Sequence, residues 1–171
     1  MSEFTCLVER EIPRLRRYAR ALTRDAVRAD DLVQETLLRA IAKGHLWQAG
    51  TDLRAWLFTI MHNQHVNLVR RAMRDEATVD IEQLPAPLVA TSDPTASRQL
   101  HEVERALGCI AAEHREVILL VGLEGMSYEA VAQILNVPIG TVRSRLSRGR
   151  EALRRLLDMP AKAAAASALA A

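Results

Sequence analysis

Aromatic side chains are nearly missing from this chain, with two Trp, two Tyr and two Phe among 171 residues. Strands favour aromatic and β-branched residues, so that scarcity, beside abundant Ala, Leu and Arg, predicts an all-α fold. Seven glycines and six prolines are too few for a loop-rich chain. The only cysteines, Cys6 and Cys109, share no metal-type spacing and read as free thiols. His62 and His65 lie three apart but have no third ligand nearby, so neither metal nor cofactor is expected. No apolar run approaches the roughly 20 residues that cross a bilayer, and Glu3, Glu9 and Glu11 break up any leader-like opening. The expectation is a cytoplasmic protein without membrane insertion. Enzymatic motifs are missing too: there is no phosphate-binding Gly-rich loop and no HExxH, while the adjacent Asp30 and Asp31 diverge on a helix.

What is present is charge, and it is segregated. Residues 1–74 carry 13 Lys/Arg against 8 Asp/Glu, residues 75–97 carry 5 acids and no base, and residues 98–171 carry 10 bases and 8 acids. The acidic stretch holds three prolines and no sustained helical period, so 75–97 reads as a flexible acidic linker between two small helical domains, 1–74 and 98–158. The Ala-rich tail 159–171 is low in complexity and is expected to be disordered.

The second domain contains GMSYEAVAQILNVPIGTVRSRLSRGR, residues 125–150. Tyr128, Val131, Ala132 and Leu135 make one apolar helical stripe behind Ser127, a good N-cap. Asn136 can end that helix left-handed, and Val137-Pro138 directs an extended residue into the next helix. In that next helix Val142, Leu146 and Leu153 lie on one side. Thr141, Ser144, Ser147, Arg148 and Arg155 lie opposite, flanked by Arg143, Arg145 and Arg150. Six arginines face one acid, Glu151, between residues 141 and 155. This layout is a helix-turn-helix whose guanidiniums suit phosphates and guanine edges. A solvated helix with Glu151 paired to Arg148 and Arg155 is the plainer alternative.

Three helices are predicted in the first domain, over residues 4–22, 26–43 and 53–74, with Asp52 capping the third. In the second helix Ala26, Ala29, Val33, Leu37 and Ala40 are assigned to the core. Asp31, Gln34, Glu35 and Leu38 then face outward with Leu32 on their border, which implies a second buried neighbour or a partner protein. In the third helix Leu53, Trp56, Leu57, Ile60 and Leu68 point inward. Thr59, Asn63, Val66 and Arg70 follow one another outside, with Asn67 and Arg71 adjacent, and amides and guanidiniums there can bond base edges and phosphates. Trp47, in the preceding loop, could hold an unstacked base, whereas Trp56 and Phe58 read as packing residues.

DDLVQETLLRAI, GTDLRAWLFTIMHN, the basic RRAMR, the acidic linker and the helix-turn-helix, taken in that order over about residues 10–157, resemble the two-domain extracytoplasmic-function sigma factors of bacterial RNA polymerase. The resemblance implies two bundles, sigma region 2 and sigma region 4. It implies partners: the polymerase core, through its β′ clamp helices and β subunit, promoter DNA, and an anti-sigma protein. Asp31, Leu32, Gln34, Glu35 and Leu38 become core-binding candidates. Trp47, Thr59, Asn63, Asn67, Arg70 and Arg71 become candidates for the downstream promoter element, the family holding a flipped base near the position of Asn63. Thr141, Arg143, Ser144, Arg145, Ser147, Arg148 and Arg150 become candidates for the upstream element. Val121-Gly122 departs from the Arg-Glu of many members, removing one backbone contact. Competing readings are a stand-alone dimeric regulator that binds a symmetric operator, and a sigma-like decoy that titrates an anti-sigma factor.

Overall fold

Helix α1 (Glu3–Thr23) forms because Val8, Leu15, Tyr18, Ala19 and Leu22 return to one side, where all five are buried. Left-handed Arg24 (φ 58°) ends the run, and Asp25 caps α2 (Ala26–Ala42) by accepting the Arg28 backbone N–H at 2.9 Å. A 3₁₀ turn (Gly44–Leu46) leads to α3 (Leu53–Asp75), whose expected cap is present: Asp52 Oδ1 accepts from Ala55 N at 3.0 Å. The computed structural model describes residues 3–75 and 94–158, and their regular structure is helical throughout.

The second half comprises α4 (Pro94–Gly108), α5 (Ala112–Ile118) running into a π-helical turn (Leu119–Leu123), α6 (Tyr128–Leu135) and α7 (Ile139–Asp158). Residues 76–93 of the expected linker and the tail 159–171 lie outside the described residues. The expected linker was drawn too long at its far end, because α4 already starts at Pro94, a residue suited to the first helical turn.

The first bundle closes around Leu15, Tyr18, Leu32, Leu57, Phe58 and Met61, with the Tyr18 and Phe58 rings edge to face at 5.0 Å. Val117, Leu120, Val131, Ile134, Val142 and Leu146 fill the second. The two cores join into one continuous apolar cluster, so the domains pack against each other.

Three assignments in α2 and α3 need correcting. The buried stripe of α2 is Ala29, Leu32, Val33, Thr36 and Ala40, rotated so that Leu32 is completely buried and Ala26 is exposed. Thr36 tolerates burial because its hydroxyl donates to the Leu32 carbonyl at 2.7 Å. Leu68 is 46% exposed, because α3 extends past the bundle at its C-terminal end.

Candidate partner and nucleic-acid interfaces

Burying Leu32 removes it from the outward face of α2, and the apolar residues that remain there form a tighter pattern than the sequence reading proposed. Val27, Leu38 and Ile41 are 72%, 65% and 61% exposed. With Asp31 and Gln34, also exposed, they step along the helix at intervals of four and three, the seam spacing of helices that pack lengthwise. Glu35 is partly buried and engages Arg39 one turn on at 2.7 Å. Leu46, exposed in the 3₁₀ turn, adds a further apolar side chain near the C-terminal end of the helix. Val27, Ile41 and Leu46 escaped the sequence reading, although the same four-three spacing could have exposed the first two.

On α3 the polar row is as expected: Asn63, Asn67, Arg70 and Arg71 are all exposed, and Asn67, Arg70, Arg71, Met73 and Arg74 line a shallow cleft. Thr59 is partly buried, and its hydroxyl is occupied by the Ala55 carbonyl at 2.8 Å. Trp47, the candidate for holding an unstacked base, packs on another ring. It is half-buried with its ring 5.6 Å from Phe4, which in turn meets Trp56 edge-on at 6.1 Å, so the three rings close one end of the bundle. Trp56 and Phe58 pack as foreseen.

The helix-turn-helix forms through the chemistry its sequence specifies. Ser127 accepts the Ala130 N–H at 3.1 Å, Asn136 ends α6 at φ 52° and ψ 49°, and the Pro138 carbonyl takes the first helical bonds of α7. Val142 and Leu146 anchor α7, with Leu153 partly buried, while Arg143, Ser144, Ser147, Arg148 and Arg150 are exposed and Thr141 is partly buried. Gly149 is buried where α5 crosses: a Cβ there would lie 2.7 Å from Ile118 Cδ1 and 3.2 Å from His114 Cβ.

Five of the six arginines of α7 fall into two sets, and Arg148 stands exposed outside both. Arg145 is tied to Glu113 of α5 at 2.9 Å and Arg155 to Glu151 within the helix. Arg145 is thus held within the protein in this state. Arg143, Arg150 and Arg154 instead line a cleft with Ser147 and Tyr128. At intervals of seven and four on one helix face, these three cations form a row suited to successive phosphates. Val121-Gly122 falls in the π-helical turn, Gly122 facing open space.

A second set of charged groups joins the domains. Glu124, directly after the π turn, has a side chain with no solvent exposure, and its Oε1 accepts from Arg17 Nη2 at 2.8 Å and Nε at 3.2 Å. Arg54 Nη2 reaches Oε2 at 3.2 Å and also donates to the Glu124 carbonyl. Nearby, His62 Nδ1 lies 2.6 Å from Glu116 Oε1, to which the Tyr18 hydroxyl donates at 3.4 Å. Burial, reinforced by Glu116, raises the Tyr18 pKa well above its ordinary value, so the phenol stays protonated. Burial also lowers the pKa of His65, the neighbour of this pair. Among the described residues no group of three metal-ligating side chains occurs. His62 has a carboxylate partner.

Two bundles, one with an exposed apolar-acidic face and one with an arginine row that has no acidic partner among the described residues, define a two-domain helical protein built around a helix-turn-helix. Known proteins give the same picture at finer grain. Residues 8–62 match the Sigma2 domain of PhyR and residues 100–153 match Sigma-70, region 4. The chain is 40% identical over 146 residues to the ECF RNA polymerase sigma factor EcfG of Rhodopseudomonas palustris, covering 85% of this chain and 80% of that protein. The sigma factor RpoE of Bartonella quintana, solved with the anti-sigma factor NepR, superposes with a TM-score of 0.80 at 36% identity, covering 94% of this chain and 99% of that one. CnrH, solved with the cytosolic domain of CnrY, superposes at 0.67 with 29% identity, covering 92% and 88%. The chain belongs to the extracytoplasmic-function sigma factors of RNA polymerase.

Proposed function

We propose that this chain works in the cytoplasm as a specificity subunit without chemistry of its own, gripping core polymerase with α2 and reading promoter DNA with α3 and α7. Val27, Asp31, Gln34, Leu38 and Ile41 offer an apolar, acidic seam to the β′ clamp helices, with Glu35 at its edge. Asn63, Asn67, Arg70 and Arg71 receive the opened strand of the downstream element. On α7, Ser144, Ser147 and Arg148 face base edges, while Arg143, Arg150 and Arg154 hold phosphates. Neither DNA contact needs to be strong alone, since attachment through several sites multiplies weak affinities. The observation that carries this reading is the row Arg143, Arg150, Arg154, without acidic partners among the described residues, beside Arg145 and Arg155, which have acidic partners on the same helix or its neighbour.

One similar structure, that of RpoE, is a complex with the anti-sigma factor NepR. That supports an anti-sigma partner for this chain as well. The likeness of residues 8–62 to a domain of PhyR gives the decoy reading a specific observation in its favour. A decoy that only titrates an anti-sigma factor has no use for a row of phosphate-facing arginines, so promoter reading is preferred. Run-off transcription with purified core polymerase on a promoter library tests it. Start sites specified by the chain are expected; a folded chain that binds an anti-sigma protein but starts no transcript would be a decoy.

A further inference from the structure

Phe4, on the first turn of α1, meets a segment that lies 40 to 52 positions further along the chain. Its ring lies 5.6 Å from that of Trp47 and meets Trp56 edge-on at 6.1 Å. It also fills the space beside Gly44, where a Cβ would come within 2.7 Å of Phe4 Cε1 and 3.1 Å of Cδ1. One side chain therefore touches the start of the 44–52 loop, its middle, and the first turn of α3. Among the described residues the hydrogen bonds of this loop are all local. Leu46 N donates to the Lys43 carbonyl at 2.9 Å and Trp47 N to that of Gly44 at 3.2 Å, while the Thr51 N–H and hydroxyl both reach that of Gln48, at 3.1 and 2.8 Å. These bonds fix the shape of the loop but not its lean against the bundle. The indole N–H of Trp47 is buried with no acceptor among the described residues, so ring packing rather than a hydrogen bond holds that side chain.

The lean of the loop matters because of what lies beside it. It exposes His45 and Gln48, and Asn63 stands about 15 Å up the helix axis from Leu53, at which α3 begins. A strand laid over Asn63 and Asn67 that runs on towards the start of α3 comes to the loop. We infer that Phe4 is a positioning residue for downstream-element reading: without touching DNA, it sets where the 44–52 loop stands relative to the Asn63 row. The inference rests on the downstream reading proposed above and adds to it a residue of α1. Phe4 is only partly buried at the end of the bundle, whose core around Leu15, Tyr18, Leu57 and Phe58 does not depend on it. A small shift of the loop therefore costs recognition before it costs folding, because hydrogen bonds to base edges weaken steeply with misalignment.

Two measurements separate the placing of the loop from the reading of DNA. In a Trp56→Phe background Trp47 is the only tryptophan, and its emission reports the loop in the free full-length chain. Phe4→Leu removes the ring edge, and Gly44→Ala pushes that edge aside; the Gly44 backbone is not left-handed, so only the ring opposes the methyl. Each should change the Trp47 emission with helical circular dichroism intact. In holoenzyme made from core polymerase and the full-length chain, each should lose at least about fivefold in discrimination between a preferred and a substituted downstream element, the worth of one base contact. Discrimination at the upstream element and affinity for core should stay within about twofold, as for sites that do not touch. The double variant should read the downstream element better than either single, because the alanine methyl refills the space that the ring edge has left. Two mere losses of packing would add instead of compensating. Additive defects, unchanged emission in both singles, or an equal loss at both elements overturns the inference. If Phe4→Leu loses helicity, Gly44→Ala decides by its loss at the downstream element against the upstream one. If wild-type holoenzyme starts at no promoter, the downstream reading itself has failed and this role falls with it, an outcome told apart by the inactive wild-type control.

Discussion

The outward faces of α2 and α7 share the four-three helical step but carry opposite chemistry. On α2 the step is filled by Val27, Asp31, Gln34, Leu38 and Ile41; on α7 it is filled by Arg143, Ser147, Arg150 and Arg154. A face of exposed aliphatics with acids gains mainly by shedding water against a protein of matching shape, a gain that salt barely changes. A face of unpaired guanidiniums gains by displacing counterions from a phosphate backbone, a gain that salt erodes steeply. One repeat thus presents two chemistries, whose gains on binding differ in their response to ionic strength.

The largest test of that contrast is Leu38→Arg. Placing an unpaired charge at the centre of the α2 seam should weaken binding to core polymerase by at least about 100-fold, at low and high salt alike. Pull-down with circular dichroism checks it, and retained binding by a folded variant removes this face from the assignment. Next comes Arg148→Ala, expected to cost about 1–3 kcal/mol in promoter affinity with relaxed preference at one position. A loss equal across all sequences would move Arg148 from base reading to phosphate holding. Gly149→Ala should destabilise the second domain by up to about 2 kcal/mol, read as a lower thermal midpoint, because the methyl's crowding of Ile118 and His114 exceeds the roughly 1 kcal/mol of helix propensity that alanine gains. An unchanged midpoint would mean that Ile118 yields freely. The smallest effect is expected at Arg154→Ala, which should leave sequence preference intact and reduce the slope of log affinity against log salt by about 1. If that slope does not move, the phosphate row ends at Arg150.

How far the sequence discloses this molecule depends on the distance over which each feature is encoded. Ser127, Asn136 and Asp52 act on backbone groups within a few residues, and their caps are where local chemistry puts them. The three helices of the first domain end within a residue or so of their expected limits. The facing of α2 was harder to read. Its apolar residues surround so much of the helix that Leu32 and Ala26 exchange roles once α1 and α3 choose a side. The packing of Trp47 could not be read locally, because its partner Phe4 lies 43 positions away in sequence. The ties of Glu124 to Arg17 and Arg54 join residues 107 and 70 positions apart, and only the tertiary structure brings them together.

The close crossing at Gly149 has a consequence for how a disturbance would travel. With no side chain on Gly149, α5 and α7 pack closely, Ile118 and His114 lying where a Cβ would stand. Glu116 on that same α5 is held by His62 of the other domain. A shift of α5 at the seam is therefore felt first at α7, which it contacts at Gly149, and so along the arginine row.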